Sequence, residues 1–269
     1  MITTAEAQKV ETSIYPVHLD SLSIVIPAYN EENRIKPVLD EICSRVMLKK
    51  LSWDIIVSID GDDRTETIVK NMMNDYPFLS YIKGNGRSGK GGAIKRAIAS
   101  ATGDYVMLMD ADGAIAFDDL AKYLDLLHEY DLVNFDRYKS THNYIPGMRR
   151  FVSRGYNIYV KILFGLKVND TQSGYKIMKT SVAKEVFGKL TITNGFFYSP
   201  MFYYLKEMNA RVKEVATNYN HSDGSKFNLM SMILGGFVSA LAFRIRYSQL
   251  WKYMPKKIVR LYYRKFRWI

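Results

Sequence analysis

Two carboxylates stand one residue apart at the end of an apolar stretch. Tyr105 to Met109 carries apolar side chains throughout, and Asp110 and Asp112 follow. Such a run, ended by a turn, predicts a strand buried on both faces of a parallel sheet. Ligands of open α/β sheets bind at the carboxyl ends of the strands, where carboxylate oxygens suit Mg²⁺ or Mn²⁺ shared with a substrate's phosphates. We therefore expect Asp110 and Asp112 to bind a metal and a diphosphate. The alternative is a plain polar turn.

The elements around this strand alternate between strand and helix. Apolar runs with β-strand character lead into loops, and side chains at helical spacing follow. Repeated βα units predict an α/β fold with a mostly parallel sheet and right-handed crossovers. The predicted strands cover residues 22–26, 53–59, 79–83, 105–110 and 131–135, and the predicted helices cover residues 35–47, 66–76, 93–101 and 117–129.

A glycine-rich turn lies between the third strand and its helix. Gly84 to Gly89 reads G-x-G-x-x-G, which resembles a dinucleotide fingerprint, and it nearly spells a Walker A loop. Gly91 stands where a Walker A loop needs a Ser or Thr, and the unit is third rather than first in the sheet, so both alternatives are weak. In every interpretation, backbone N–H groups and Lys90 near a helix N-terminus suit a phosphate.

Size and cysteine content limit the class of protein. With 269 residues and 48% hydrophobic content, the chain is long enough for one large core or two small ones. Cys43 is the single cysteine, which excludes an intrachain disulfide and fits a reducing compartment. The first nine residues lack the apolar core of a signal peptide, so we expect the domain to stay on the cytoplasmic side.

The excess positive charge is concentrated at the end of the chain. Of the net charge of +11, nine basic residues lie between Arg244 and Ile269, which has no acidic residue. Phe227 to Phe243 is uncharged but too short to span a bilayer, since a span needs about 20 residues. It is expected to be an interfacial or re-entrant helix, or alternatively a buried core helix. In the final segment, basic side chains lie on one side of the helix and aromatic side chains on the other. This pattern predicts a helix in the headgroup layer rather than a nucleic-acid arm.

These observations divide the chain into three parts. Residues 1–20 are expected to form a flexible N-terminal arm, residues 21–225 a catalytic domain, and residues 226–269 apolar and basic-aromatic helices that associate with a membrane. Together they predict a peripheral or monotopic protein at the cytoplasmic face of a membrane.

Several linked motifs resemble a known family. The chain is similar to inverting nucleotide-sugar glycosyltransferases with the GT-A fold, and within them to the dolichyl-phosphate glucosyltransferases and other polyprenol-phosphate hexose synthases. The motifs are VIPAYNE at 25–31, GKGGA at 89–93, DADGA at 110–114, DTQSGYK at 170–176 and DGSK at 223–226, with DRY at 136–138 and RRFVSRG at 149–155 matching the mannose synthases.

The resemblance implies a role for each matching residue. A nucleotide site would include Pro27, Ala28, Tyr29, Glu31, Asp60, Lys90, Asp110 and Ala111. Metal would bind to Asp110 and Asp112, and the acceptor phosphate to Arg137, Arg149 and Ser153. Asp112, Asp170 and Arg137 would act in catalysis.

The chain departs from the family pattern at two places. Asp60-Gly61-Asp62-Asp63 replaces the order Asp-Asp-Gly-Ser, and Ser199 stands where the glucosyltransferases carry a carboxylate. A missing base is tolerable, because a phosphate monoester has a second pKa near 6 and is already a nucleophile at neutral pH. Positioning by cations and neutralisation of the leaving diphosphate would then supply the catalysis.

The resemblance therefore implies a metal-dependent transferase. It would transfer a hexose, expected to be glucose from UDP-glucose, with inversion onto a polyprenyl or dolichyl phosphate at the membrane surface. The expected cofactor is Mg²⁺ or Mn²⁺. No nucleic acid partner is expected. The alternatives are transfer of mannose or another sugar by the same fold, and a non-catalytic basic module that binds a membrane or nucleic acid.

Overall fold

A single mixed sheet forms the centre of the protein. The structure, a computed structural model, describes residues 21–48, 52–140, 147–219 and 229–265. Its strand order is β3-β2-β1-β4-β6-β5-β7; β6 runs antiparallel to both of its neighbours, and the other pairs are parallel. The strands are β1 Leu22–Tyr29, β2 Trp53–Asp60, β3 Leu79–Lys83, β4 Tyr105–Leu108, β5 Leu132–Asp136, β6 Lys176–Lys179 and β7 Val212–Ala216.

Helices cover both faces of this sheet. In the described residues they are α1 Ile35–Leu48, α2 Thr65–Met73, α3 Gly89–Ser100, α4 Phe117–Ala121, α5 Gly147–Phe164, α6 Thr180–Lys189, α7 Tyr198–Glu207, α8 Leu229–Arg246 and α9 Lys256–Lys265, with 3₁₀ helices at Leu124–His128 and Gln249–Tyr253. None of the helices in these ranges is long and apolar enough to span a membrane.

The central strands are buried on both faces, as their apolar sequences predict. In β1, Ile24 packs into the core under α1 and α2, whereas its neighbour Val25 packs into the core under α3 and α6. In β4, Met107 and Leu108 divide between the same two cores. Successive side chains of a strand point to opposite faces, so a strand between two helical layers must be apolar at every position.

The predicted βα units are confirmed, with three corrections. The helix predicted at 117–129 is wrong: α4 ends at Ala121 and a 3₁₀ helix follows. Residues three apart share a face of a 3₁₀ helix, and this geometry buries both Leu124 and Leu127. Strands β6 and β7 were not predicted, because charged residues interrupt these short segments. Helix α3 starts at Gly89 rather than 93, which brings Lys90 into its first turn.

The apolar segment predicted at 227–243 falls mainly within α8. Its described part has a buried face, which includes Ala240, Ala242 and Phe243, and an exposed face with Val238 and Leu241. α8 packs against α5, where the Tyr159 and Phe237 ring centroids lie 4.6 Å apart. The arm at 1–20 and the motif at 223–226 lie outside the described residues.

One buried hydroxyl group joins three segments of the sheet. Ser23 is fully buried in β1; its Oγ donates to Asp54 Oδ1 at 2.7 Å and accepts from the backbone N–H groups of Thr102 and Gly103 at 3.2 and 3.0 Å. It thereby connects β1 to β2 and to the turn that leads into β4.

We predict that Ser23→Ala lowers the free energy of unfolding by about 1–3 kcal/mol, because the buried N–H group of Gly103, the part-buried N–H group of Thr102 and the Asp54 carboxylate each lose a partner. Ser44, which is partly exposed and whose Oγ donates to the Glu41 carbonyl within one turn, provides the control Ser44→Ala. Urea denaturation followed by circular dichroism measures both. Equal midpoints for the two variants would contradict this role of Ser23.

Candidate active site

A cavity of about 340 Å³ lies at the carboxyl ends of β1, β2 and β3. The guanidinium group of Arg87 lies 4.4 Å from the centre of the Tyr29 ring at its wall. Gly61 has φ of +100°, and an added Cβ would overlap Asn30 Oδ1, so a glycine is required there. The cavity is lined by Tyr29, Asn30, Gly61, Asp62, Asp63, Lys83, Gly84, Gly86 and Arg87.

Of the residues expected around a nucleoside, Tyr29 lines this cavity and the others support it. Pro27 and Ala28 are the preceding residues of β1, and Ala28 is buried in the core. Glu31 has its carboxylate paired with Arg34 at 2.6 Å, and its backbone N–H donates to Thr65 Oγ1. The strand end and the turn after it therefore shape the cavity wall.

Asp60 fixes the loop below the cavity. Its buried carboxylate accepts from the Ser88 N–H at 2.7 Å, from Ser88 Oγ at 2.8 Å and from Arg96 at 2.8 Å. These bonds join the end of β2 to the glycine-rich turn and to α3. Both carboxylate oxygens of Asp60 thus already accept hydrogen bonds within the protein. Asp60 supports the cavity without lining it.

Lys90 and Asp110 form an ion pair between α3 and the end of β4. Lys90 Nζ lies 2.5 Å from Asp110 Oδ1, and both side chains are about one quarter exposed. Burial opposes the charge on Lys90, but the Asp110 carboxylate outweighs it and raises the pKa of the lysine above its usual value. Gly174 lies directly against this carboxylate, since a Cβ added there would overlap it.

Asp112 is held by a buried phenol. The Tyr175 hydroxyl donates to Asp112 Oδ1 at 2.9 Å, and the Ala114 N–H donates to the same oxygen at 3.1 Å. Burial, together with the negative charges of Asp112 and Asp110, raises the pKa of Tyr175 well above its usual value, so the phenol stays protonated and remains a donor. Ala111, between the two carboxylates, is buried in the core.

The donor set fits a metal that a substrate helps to bind. Among the described residues, no group of three His, Cys, Asp or Glu side chains is suited to hold a metal ion by itself. Mg²⁺ typically takes one or two carboxylates from the protein and completes its coordination with water and phosphate oxygens. Asp110 and Asp112, both partly exposed, match that requirement.

Arg137 and Asp170 form a second, more deeply buried ion pair. The Arg137 guanidinium donates to both carboxylate oxygens at 2.8 and 2.9 Å, and its backbone N–H donates at 3.2 Å. Burial works against the charge of Asp170, but Arg137 outweighs it and lowers the pKa of the carboxyl below its usual value. Asp170 is fully buried and also accepts from the Gln172 N–H, so it anchors Arg137 and its own loop.

Tyr138 connects this ion pair to α5. Its hydroxyl donates to Ser153 Oγ at 2.5 Å, and its ring centre lies 5.6 Å from the Arg137 guanidinium and 5.5 Å from that of Arg154. Arg149 belongs to the same helix, one turn before Ser153. Tyr138, which the sequence presents only as the last residue of the DRY motif, thus joins Arg137 to Ser153 in the structure.

Ser199 lies in a buried hydroxyl network. Its Oγ is 3.0 Å from the Tyr156 hydroxyl and accepts from Gln172 Nε2 at 3.3 Å. Thr171, beside Gln172, donates through its N–H and hydroxyl to Asn157 Oδ1. The position without a carboxylate is therefore filled by neutral groups that link α7, α5 and the 170–175 loop.

Sequence reasoning missed Gly174, Tyr175 and Lys176 as individual site residues. The signal was present in the DTQSGYK motif, but the contacts of Gly174 with Asp110 and of Tyr175 with Asp112 arise only because β6 is inserted antiparallel next to β4.

Comparison with known proteins identifies the family. Residues 23–187 match the model of Glycosyl transferase family 2. The chain belongs to this family. The matched region contains the cavity, the Asp110–Asp112 pair and the Arg137–Asp170 pair.

Individual relatives carry more specific names than the family model does. A dolichyl-phosphate beta-glucosyltransferase of Dictyostelium discoideum is 29% identical over 255 residues, covering 88% of this chain and 78% of the relative. The human protein of that name is 26% identical over 240 residues, covering 80% and 72%.

Solved structures share the fold. Glucosyl-3-phosphoglycerate synthase from Mycobacterium tuberculosis, in complex with Mn²⁺ and UDP-glucose, superposes with a TM-score of 0.61 at 17% identity, covering 90% of this chain and 83% of that chain. The structure of the same enzyme with Mg²⁺ and UDP gives 0.60 at 16% identity, covering 90% and 83%. The α/β GT-A-like fold is therefore established.

We predict that Arg137→Met destabilises the protein by about 3–5 kcal/mol at neutral pH, because it leaves the buried Asp170 carboxylate unpaired. Without Arg137 the pKa of Asp170 rises, so the loss shrinks as pH falls and the carboxyl becomes protonated. In the wild type the pH dependence of stability has the opposite sign. The lowered pKa of Asp170 stabilises the folded protein above the pKa that this carboxyl has in the unfolded chain. That stabilisation is lost as pH falls through its pKa in the folded protein.

Denaturation of Arg137→Met, Asp170→Asn and the double variant, at neutral and acidic pH, measures the coupling. Arg211→Met is the matched control, because Arg211 is exposed and lies 3.6 Å from Asp131. Additive effects of the two single changes would contradict the proposed ion pair.

Proposed function

We propose that this family 2 chain transfers glucose from UDP-glucose, with inversion, to a polyprenyl (dolichyl) phosphate at the cytoplasmic surface of a membrane. The observation that carries the proposal is the composition of α5. Arg149 and Ser153, expected to bind a phosphate, lie on the same helix as a row of exposed apolar side chains. An acceptor with a phosphate head and a hydrocarbon tail requires that combination. Relatives named dolichyl-phosphate beta-glucosyltransferase support it.

The donor would bind across the ends of β1, β2 and β4. Its nucleoside would enter the cavity beside Tyr29 and Arg87, and its diphosphate would lie near Lys90, Asp110 and Asp112. A bound Mg²⁺ or Mn²⁺ would neutralise charge that builds on the leaving diphosphate. Lys90, now paired with Asp110 at 2.5 Å, supplies a cation that a diphosphate would share.

The acceptor would bind near Arg137, Arg149 and Ser153. An oxygen of the phosphate dianion attacks the anomeric carbon of the sugar, while the bond from that carbon to the diphosphate oxygen breaks and UDP leaves. No proton has to be removed from the nucleophile. This agrees with Asp170, whose oxygens already accept hydrogen bonds from Arg137 and Gln172. Its contribution to catalysis would be to orient Arg137.

The membrane contact would involve α5 and α8 as well as the end of the chain. Phe151 and Ile162 are 77% and 79% exposed, and Met148 and Ile158 share their face of α5. Val238 and Leu241 are exposed on α8, which packs against α5, and Arg150 and Arg154 on α5 are exposed as well. Contiguous exposed apolar surface marks an interaction site, and basic residues beside it favour anionic lipid. The described part of α9, with Lys256, Lys257 and Arg260 exposed, adds further positive charge.

The sharpest test is transfer itself. Purified protein, Mn²⁺ or Mg²⁺, dolichyl phosphate and labelled UDP-glucose should yield a labelled product that partitions into organic solvent, with the β configuration at the anomeric carbon. GDP-mannose and other donors in parallel decide which sugar is used. Absence of a lipid-linked product with every donor would favour the non-catalytic binding module.

In the same assay, Asp112→Asn should abolish turnover and weaken metal-dependent binding of UDP, because it removes one formal charge from a site for a hard cation. Asp118→Asn, in α4, whose half-buried carboxylate pairs with Arg45 at 3.0 Å away from the site, is the control. Near-normal turnover of Asp112→Asn with saturating metal would refute the assignment of this pair.

We also predict that Phe151→Ser combined with Ile162→Ser reduces binding to anionic vesicles at high salt, where apolar burial dominates because charge is screened. Deletion of residues 256–269 should instead reduce binding mainly at low salt and leave UDP binding intact. Vesicle sedimentation at two salt concentrations measures both, with Ile68→Ser, in α2 on the other face of the sheet, as control. Unchanged sedimentation of the α5 double variant would exclude this surface.

A further inference from the structure

Lys176 is an ionisable side chain with no exposed surface. It is the first residue of β6, where it pairs with Leu108 of β4 and Asn134 of β5. Within the part of the chain that the structure describes, no carboxylate lies within ion-pair distance of it. Its Nζ donates to the Ser173 carbonyl oxygen and lies 4.2 Å from the centre of the Tyr198 ring. A fully buried lysine without a paired carboxylate is rare.

The position of Lys176 in the sheet explains its surroundings. Because β6 is antiparallel, its first residue lies at the carboxyl ends of β4 and β5, between the Lys90–Asp110 and Arg137–Asp170 pairs. Burial lowers the pKa of Lys176 to about 7; Asp170 and Asp110 favour its charge, whereas Lys90 and Arg137 oppose it. Tyr198 of α7 also faces it, and burial raises the pKa of that phenol to about 12, so it stays neutral.

The carbonyl group that Lys176 holds belongs to the turn that contacts both candidate metal ligands. Gly174 lies against the Asp110 carboxylate, and the Tyr175 hydroxyl donates to Asp112. Tyr198 donates to the Gly174 carbonyl oxygen at 3.4 Å, which closes the turn from the other side. A bond from Lys176 to Ser173 therefore restrains the backbone that supports the Asp110–Asp112 pair.

Retaining a charge in this place costs stability. A lone buried ammonium group loses hydration that one carbonyl oxygen and two aromatic rings replace only in part. Methionine, of similar length, would pack well beside Tyr198 and Phe202. A residue that lowers stability beside a functional site is typical of groups retained for activity.

We propose that Lys176 is a positioning residue of the donor site, whose protonated form fixes the Ser173–Tyr175 turn against Asp110 and Asp112. The inference rests on the proposed function, because the anion that would favour this form is the diphosphate of the donor. Negative charge entering beside Lys90 shifts Lys176 toward its protonated state, so the diphosphate and the ordered turn stabilise each other.

The sign of the pH dependence follows from this coupling. The free protein has Lys176 partly neutral near pH 7, and a bound anion raises its pKa. Affinity for UDP should therefore fall as pH rises above neutrality, by up to about 10-fold per pH unit, with uptake of up to one proton on binding. Titration of the UDP phosphate, with a pKa near 6, affects only the range below this window.

Calorimetric titration of the protein with UDP and Mn²⁺ between about pH 7 and pH 9, in buffers of different ionisation enthalpy, measures affinity and proton uptake. Lys176→Met should bind UDP more weakly, lose the fall in affinity above neutrality and have a higher Tm. Lys176→Gln, which can still donate to Ser173, should regain part of the affinity without the pH dependence. Lys179→Met, on the same strand but paired with Asp131 at 2.8 Å, is the control and should match the wild type.

If Lys176→Met and Lys176→Gln bind UDP with wild-type affinity and pH dependence, this inference is overturned and the proposed function is unaffected. A lower Tm of Lys176→Met with an unchanged pH profile would do the same, since that result describes a purely structural lysine. Wild-type protein that binds no UDP would overturn the proposed donor, and this inference with it.

Discussion

The close approach of the 170–175 loop to the end of β4 determines the rest of the site. Gly174 touches the Asp110 carboxylate, and the Tyr175 hydroxyl bonds to Asp112. This approach is possible because β6 runs antiparallel between β4 and β5, which brings its first residue to the edge where the parallel strands end. A parallel β6 would leave the two carboxylates without this support.

Two ion pairs of different character divide the site. Lys90–Asp110 is partly exposed, and a ligand can compete for both partners. Arg137–Asp170 is buried and made bidentate by the fork of the guanidinium, so it is a fixed part of the scaffold. The first pair suits a site that must admit a metal and a diphosphate. The second suits a cation that must stay in place while an anionic acceptor approaches.

The site and the exposed apolar surface are connected by one helix. Tyr138 joins the Arg137 region to Ser153, and α5 continues from there to Ile162. α5 is held against the domain by Tyr156 and Tyr159, which contact Phe237 of α8. If Arg149 and Ser153 bind the acceptor phosphate as proposed, the apolar face along α5 would place a lipid phosphate at a defined distance from the donor.

The sequence by itself determined the βα repeat, the burial of β1 and β4 and the position of Asp110 and Asp112 at a strand end. These features depend on apolar runs and spacing, which are local properties. Linked motifs also identified the family. Tertiary structure alone decided that Asp60 would be occupied by Ser88 and Arg96, that Asp170 would anchor Arg137, and that Lys176 would be buried without a carboxylate. Those outcomes depend on contacts between residues 28 to 36 positions apart and on the direction of β6, which no local pattern encodes. The exposed face of α5 shows the same limit, because an amphipathic pattern indicates that a helix has two faces, and only packing decides which apolar residues remain uncovered.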